Sequence, residues 1–482
     1  MNSASAALNV ARRRAELVRA ADDVVDLLVV GGGITGAGVA LDAAARGLTV
    51  TLIEAEDLAF GTSRFSSKLI HGGLRYLATG DVATARESAE ERHLLMTAIA
   101  PHLIRPLPQL LPFVPGVTLR QRAAGAVGMT MGDLLRLRTR TPRAVLPHPR
   151  LIGRHRALTL APGLDPSGLR GGMLSFDGQL EDDARLVVAV ARSAAARGAR
   201  ILTRVRAVSL HATGARAVDT LTGDTLDIRA RSVVNATGVW AGTLDTDLTL
   251  RPSRGTHIVL DAADLGHPSA AITIPHAGSI SRYVFALPQQ HGRVIVGLTD
   301  EDAPGAVPRV ATPTEQEIGF LLTSLNSVLR TPVARRSVRG AFAGLRPLVD
   351  TGADSTADIS RRHLVTVSEA GFVTVLGGKL TTYRRMAEDA VDLAVRTRRI
   401  DAPPSPTATL RLVARDVPRS EPLVGGVRIT RADVEYSVRE EGALSTDDVL
   451  DRRTRIGLVD DDRSRAYALV DEIVRETLHI LG

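Results

Sequence analysis

Apolar positions fall into short runs near the start of the chain and into helical stripes further on. Residues 24–30 (VVDLLVV) form an apolar run that stops at glycines, the pattern of a strand buried on both faces. Residues 36–46 then place Ala37, Ala40, Leu41 and Ala44 on one helical face, and Gly47 ends the helix. Residues 49–53 (TVTLI) read as a second strand with Glu54 at its end, so the three elements predict a βαβ unit. Residues 1–21, rich in Ala and Arg, predict a short surface helix ahead of it.

Downstream, Asp81 is placed to cap a helix that reaches about residue 99, and Pro101 stops it. Pro106, Pro108, Pro112 and Pro115 mark an extended or loop passage. Residues 116–162 are strongly basic, with a helix expected over 128–138. Residues 179–200 predict a long helix whose first-turn acids, Glu181, Asp182 and Asp183, suit the helix dipole. Strands are expected at 201–210, 217–228 and 231–234. An antiparallel group follows at 252–260, 283–287 and 293–297, then strands at 364–367 and 372–376. Gly377 and Gly378 open a helix over 381–397, residues 401–409 (DAPPSPTAT) form a linker, and helices are expected at 430–441, 445–458 and 461–481.

Composition narrows the function classes. The 482 residues are enough for two or three domains, and 44% hydrophobic with 23% charged residues is ordinary for a globular protein. No apolar run reaches the roughly 18 residues of a membrane-spanning helix, and no secretory signal is expected. The absence of cysteine removes disulfides, thiolate nucleophiles and Cys-ligated metals, and no metal site is expected. A net charge of +7 suits an anionic ligand, nucleic acid or an anionic membrane, but 3% aromatics leaves few stacking platforms for nucleic acid. Lysine survives only as Lys68 and Lys379 in a chain that otherwise uses Arg, which points to sites needing a compact ammonium.

The first glycine motif, Gly31-x-Gly33-x-x-Gly36, lies between the predicted strand and helix. Its glycines permit a tight turn, close approach to a pyrophosphate and close helix–strand packing, and Glu54 would accept the ribose hydroxyls of an adenine dinucleotide. Two further returns, Asn235-Ala236-Thr237-Gly238 and Gly377-Gly378-Lys379-Leu380-Thr381, favour a long flavin dinucleotide over NAD. The second of these opens a helix whose positive end would stabilise negative charge on a reduced flavin ring.

The run from Ser66 to Leu77 (SSKLIHGGLRYL) resembles the flavin-side loop of the FAD-dependent sn-glycerol-3-phosphate dehydrogenases. Further matches are Ala100-Pro101-His102-Leu103, the run from Asp182 to Leu186, Arg254-Gly255-Thr256-His257, and Gly297-Leu298-Thr299-Asp300. After these come the run from Gly344 to Leu348, Ser360-Arg361, and the run from Gly377 to Tyr383. The resemblance covers about residues 22–395 and continues weakly through 448–458 (DVLDRRTRIGL). Thr256 where the family often has Ser, Arg362-His363 after Arg361, and a shorter C-terminal segment depart from the pattern.

The resemblance implies an α/β fold: a Rossmann-like FAD-binding domain of the glutathione-reductase type, an antiparallel-sheet substrate domain and a small helical C-terminal domain. It divides the chain into 22–100, 180–250 and 340–398 for FAD, 101–179 and 251–339 for substrate, and 410–482 for the cap. It implies FAD as cofactor, sn-glycerol 3-phosphate as substrate, oxidation at C2 to dihydroxyacetone phosphate, and a quinone as acceptor. An oxygen-using glycerophosphate oxidase, an amino-acid or amine oxidase, and a nucleic-acid-binding or redox-sensing flavoprotein are the alternatives. Arg346 and Arg361 match phosphate-side arginines, Arg75 an arginine near the substrate hydroxyls, and Lys379 a cation at the flavin edge. His257 is the candidate base for the C2 hydroxyl, with a neighbouring Arg or a water as the alternative, and the Thr299-Asp300 pair is alternatively a turn cap. Cofactor contacts are expected from Gly31, Gly33, Gly36, Glu54, Ser66, Ser67, Lys68, His71, Gly72, Ala236, Gly238, Gly378, Lys379, Leu380 and Thr381. The expected location is cytoplasmic, with peripheral attachment to the inner face of the plasma membrane and a homodimer both left open, and no nucleic-acid partner is expected.

Overall fold

The computed structural model describes residues 6–73, 80–276, 282–350, 363–418 and 420–482. A parallel sheet forms its centre. The strands Val373–Leu376, Thr225–Asn235, Val24–Val30, Val50–Glu54 and Arg200–Thr203 lie side by side in that order, all parallel, and Leu364–Val367 adds an antiparallel edge. Period-2 alternation sends Leu27 and Val29 into the core beneath the helices, and Leu28 and Val30 into the core on the opposite face. The helices Ile34–Ala45, Asp183–Ala195 and Tyr383–Arg398 contribute to the first core, and the hairpin Val205–His211 and Gly214–Asp219 closes the second.

The first glycine turn is as tight as backbone allows. Gly31 has φ +111°, and a Cβ there would sit 2.5 Å from the Ala236 carbonyl oxygen. At Gly36 a Cβ would lie 1.8 Å from the Gly31 oxygen. The helix Ile34–Ala45 therefore packs directly on its own strand, with Gly33 as an N-cap that offers no side chain to the first amides.

A second, ten-stranded sheet carries the other half of the cavity. Its central strand Ile104–Pro112 pairs antiparallel with Gly172–Leu180 along its whole length and parallel with Ala271–Pro275 at Gln109 and Leu110. The proline-rich passage is thus a strand. Pro106, Pro108 and Pro112 are all even-numbered, so their missing N–H groups fall on one side and spare the ladder on the other. Ser253–Asp261 pairs with Arg293–Gly297 and with Gly340–Arg346, so this sheet draws residues from both sides of the division expected from sequence.

Several elements differ from the sequence expectation. Residues 172–180 form a strand, and the following helix starts only at Asp183, capped by Asp182 through the Ala184 N–H at 2.9 Å. The basic helix runs Leu119–Arg138 rather than 128–138, begun by a capping box between Thr118 and Gln121. The leading helix Val10–Asp22, in contrast, lies on the surface as expected and is docked there: Arg13 Nε donates to the Thr203 carbonyl at 2.8 Å and Arg13 Nη2 meets Asp219 at 2.8 Å.

The last segment folds around its own apolar cluster, with the hairpin Pro422–Val424 and Val427–Thr430 and the helices Arg431–Arg439 and Asp460–Leu481. Buried charge joins it to the parallel-sheet unit. Asp57 accepts from Arg452 Nε at 2.6 Å and from Arg453 Nη1 and Nη2 at 2.9 and 2.8 Å, and Arg185 Nη1 meets Glu441 at 2.7 Å.

Replacing Gly36 by Ala forces the helix off its strand. We expect a stability loss of about 1–3 kcal/mol and a lower flavin-to-protein ratio after gel filtration, whereas Gly223→Asn, with nothing within 4 Å of its Cβ position, keeps the parent ratio.

Candidate active site

A single continuous cavity of about 1470 Å³ runs between the two sheets. One end is lined by Gly31, Gly33 and Glu54. Glu54 accepts from Gly32 N at 2.5 Å and Glu56 N at 2.8 Å, and burial still pushes its carboxyl up to about 7. Ser63, on the short turn Thr62–Arg64, accepts from Ile34 N at 2.9 Å and stands over the helix N-terminus. Ala236 and Gly238 close this end from the neighbouring strand. Gly36 lies behind the wall, where its part is to permit the packing described above.

The middle of the cavity is lined by Ser66, Ser67 and His71 on one side and Gly378, Lys379, Leu380 and Thr381 on the other. Thr381 Oγ1 is buried with no hydrogen-bond partner among the described residues. Lys379 Nζ donates to Ser88 Oγ at 2.8 Å. Gly72 does not line the cavity; its N–H donates to Asp177 at 3.2 Å, and Asp177, which does line it, meets Arg92 at 2.6 Å. Burial pushes the Asp177 carboxyl up despite that cation.

Lys68 is placed differently from the expectation. It lies outside the cavity wall, 2% exposed, with Nζ 3.2 Å from Asp183 and 5.3 Å from the centre of the Phe342 ring. Its backbone has φ +58°, which turns the side chain inward while its neighbours Ser67 and Leu69 face the cavity. Of the two lysines, only Lys379 faces the expected ligand.

At the far end His257 and Arg346 stand on adjacent strands of the second sheet, and both line the cavity. Two glycines make their room. A Cβ on Gly297 would lie 2.2 Å from His257 Cδ2, and one on Gly255 would lie 2.2 Å from Arg346 Nη2. His257 stacks on Phe342 with centroids 4.9 Å apart, and its Nε2 shares a 2.8 Å hydrogen bond with Ser67 Oγ. Burial, with help from Lys68 and Arg346, pulls its pKa down to about 3, so the ring is neutral at ordinary pH. Arg346 Nη1 donates to Ser253 Oγ at 2.9 Å and to Asp300 at 3.0 Å, while Nη2 donates to the Thr299 carbonyl at 3.1 Å. The Thr299-Asp300 pair thus aims a guanidinium. Arg75 and Arg361 lie outside the described residues.

The polar roof of Gln109, Ser175, Asp177 and Thr273 was missed in the sequence. Gln109 sits in the passage expected to be extended or a loop, which the structure shows as a strand. The period-2 polar alternation of Ser175, Asp177 and Gln179 is a strand signal, but the helical pattern after it masked its boundary.

The residues present suit a dinucleotide: a helix start whose cap, Gly33, carries no side chain, a buried carboxylate at the end of the next strand, and an orphaned hydroxyl at a second helix start. With a neutral base and a braced guanidinium at the far end, fold and cavity define an FAD-dependent oxidoreductase. In agreement, the DAO family of FAD dependent oxidoreductases matches residues 26–384, and the C-terminal domain of alpha-glycerophosphate oxidase matches residues 406–480. The chain is 50% identical to glycerol-3-phosphate dehydrogenase 1 of Mycobacterium tuberculosis (strain ATCC 25618 / H37Rv), with 98% of this chain and 99% of that one covered. Among solved structures, the glycerol-3-phosphate dehydrogenase of Bacillus halodurans complexed with FAD is similar at a TM-score of 0.71 and 25% identity, covering 98% of this chain and 96% of that one. The L-alpha-glycerophosphate oxidase of Mycoplasma pneumoniae shares the fold at a TM-score of 0.61 and 18% identity, covering 82% and 100%. The chain belongs to the FAD-dependent glycerol-3-phosphate dehydrogenase family.

The depressed His257 pKa has a consequence for stability. Its folded value, about 3, lies below the ordinary 6.5. Between those values the unfolded chain binds a proton the folded chain does not, so stability falls as pH drops through this window. Urea midpoints of the parent should decline more steeply from about pH 6.5 to about pH 4.5 than those of His257→Gln; parallel declines would remove His257 as a source of the acid sensitivity.

Proposed function

We propose that the protein oxidises sn-glycerol 3-phosphate at C2 to dihydroxyacetone phosphate and passes the electrons to a quinone. The observation that carries this reading is the pairing of His257 and Arg346 on the cavity wall, next to the stretch where Ser67 and Lys379 would meet the flavin ring. FAD, when bound, supplies the acceptor for the hydride leaving C2. Arg346 takes the substrate phosphate: Asp300 and Ser253 hold its Nη1 side, so the guanidinium meets the anion already oriented. His257 Nε2 takes the C2 hydroxyl proton. A base with a pKa of about 3 is weak, but a phosphate dianion bound nearby favours the imidazolium and strengthens it once substrate is seated. Lys379 places positive charge beside the flavin, where it favours an anionic reduced ring. Arg75 and Arg361 are assigned to the substrate hydroxyls and the phosphate on the strength of the sequence motifs.

The acceptor side is supported by a surface. The helix Leu119–Arg138 exposes Leu119, Val127, Leu134 and Leu137. Its own Arg120 and Arg138, and Arg140, Arg143 and Arg150 just after it, accompany them. Val127, Gly128 and Met131 of the same helix line the cavity. Among the described residues no helix is long and apolar enough to cross a membrane. We assign this face to contact with an anionic lipid surface, where a lipid-soluble quinone resides.

Two measurements test these assignments. Under anaerobic conditions, sn-glycerol 3-phosphate should bleach the visible absorption of the bound flavin and plain glycerol should not. Arg346→Ala should raise KM by about 10–100-fold, the loss of one charged hydrogen-bonding group. A flavin-loaded protein left unbleached would rule the substrate out. Separately, the parent should co-sediment with anionic vesicles in a salt-sensitive way, and Leu134→Glu with Leu137→Glu should abolish this without lowering turnover with a water-soluble dye; equal sedimentation of both proteins would exclude this helix as the contact.

A further inference from the structure

The stretch 66–68 reaches the cavity from an anchor outside it. Asp183, fully buried at the first turn of its helix, accepts from Ser66 N at 2.9 Å and Ser66 Oγ at 2.8 Å, and its other oxygen lies 3.2 Å from Lys68 Nζ. Ser66 Oγ in turn accepts from Lys68 N at 3.0 Å. Ser67, held between these two residues, carries the 2.8 Å contact to His257 Nε2. The reacting end of the cavity is therefore aligned through one carboxylate.

That carboxylate is not balanced by Lys68 alone. Asp182 is its neighbour, so two buried carboxylates share the helix start. The second cation comes from the C-terminal segment: Arg455 Nε lies 3.6 Å from Asp182 and 3.8 Å from Asp183. The Arg455 guanidinium is itself fixed, with Nη1 donating to the Asp451 carbonyl at 2.7 Å and Nη2 to the carbonyl of Arg64. Arg64 and Phe65 lie immediately before Ser66, and Arg64 stacks on Phe65 at 4.4 Å. Arg455 thus touches the flavin-side loop at both ends of its anchor, the backbone before it and the carboxylates beneath it. Two anions and two cations make a neutral buried quartet, and removal of any one leaves an uncompensated charge. Consistent with this geometry, burial raises the Asp183 carboxyl, but Lys68, Arg455 and the two Ser66 hydrogen bonds together more than offset it, holding it below the usual range.

We propose that Arg455 is a positioning residue for catalysis: through Asp183 and the Arg64 carbonyl, the C-terminal segment sets the placement of Ser67 and hence of His257 against the flavin. The segment is then part of the active site's frame although, among the described residues, it contributes no group to the cavity wall. This rests on the proposed role of His257, but its spectroscopic test does not.

The test compares the full-length, FAD-loaded parent with Arg455→Met, Arg455→Lys, Asp183→Asn and the Arg455→Met/Asp183→Asn double variant. We expect Arg455→Met to lower kcat for sn-glycerol 3-phosphate by about tenfold or more with KM within about twofold, since Arg346 is untouched. The visible circular dichroism of the bound flavin should change in Arg455→Met and Asp183→Asn alike, and Arg455→Lys should restore most of both signals. The double variant should lose less than the sum of the two single variants, because the paired substitutions remove one anion and one cation of the same neutral cluster. Parent-like dichroism and kcat in Arg455→Met would overturn the proposal, as would additive losses in the double variant. If Arg455→Met is recovered unfolded, Asp183→Asn and Arg455→Lys decide: unchanged flavin dichroism in Asp183→Asn, or loss in Arg455→Lys equal to that of Asp183→Asn, rejects it. If the parent itself fails to oxidise sn-glycerol 3-phosphate, the substrate assignment falls, and the dichroism comparison still judges Arg455.

Discussion

Asp183 accepts two hydrogen bonds from Ser66 and an ion pair from Lys68 at the start of a helix that packs beneath the parallel sheet. From this one buried carboxylate the geometry spreads in three directions. Forward, it sets Ser67 and so the orientation of the His257 ring, which Phe342 supports from behind. Sideways, Asp182 caps the helix and Arg185, three residues on, binds Glu441. Behind, Arg455 brings the last part of the chain against it. A charge so placed is stabilising only while every partner is present, because an unpaired ion in this interior is costly. That dependence is why motifs far apart in sequence, from Asp182 to Leu186 and from Asp448 to Leu458, describe one cluster in space.

How much of this the sequence discloses depends on the range of the forces involved. The βαβ unit is legible because its strand, glycine turn and helix are neighbours, and Gly31 and Gly36 are required by contacts within a few residues or with one adjacent strand. Glu54 is legible for the same reason. The second sheet is far less so. Its strands pair across long separations, and Pro106, Pro108 and Pro112 look like loop punctuation until the full-length ladder with Gly172–Leu180, and a second pairing at Gln109 and Leu110 only, account for them. Lys68 shows the limit of composition. Its rarity marks it as a position that favours an ammonium, but what the ammonium meets is a carboxylate behind the wall rather than a ligand in front of it. Gly255 and Gly297 carry a similar lesson: each clears space for a side chain on another strand, Arg346 and His257, which no local pattern announces.

The preference for arginine fits this architecture. Arg453, fully buried, donates to both oxygens of Asp57 and to the Glu441 carbonyl, and Arg384 meets Glu91 in the same two-pronged manner. A planar fork satisfies several acceptors at once where water cannot reach, which a point charge on a flexible stem does less well. Only where a single compact charge must sit among ring faces and hydroxyls, beside Phe342 or Ser88, does lysine remain.

The order of strands in the parallel sheet has a further consequence, for the birth of the protein. Val24–Val30 pairs with Thr225–Asn235, which pairs with Val373–Leu376, and the glycines that close the middle of the cavity follow directly at Gly377. A ribosome has thus made about three quarters of the chain before the cradle can be finished, and more before Arg455 emerges. The first βαβ unit meets its flanking strands Arg200–Thr203 and Thr225–Asn235 only when about half of the chain has been made, and until then its apolar strand edges are uncovered, in the manner of slow, non-local sheets. The cofactor cradle is completed later still, so the nascent chain carries a formed but unfilled sheet through the second half of its elongation.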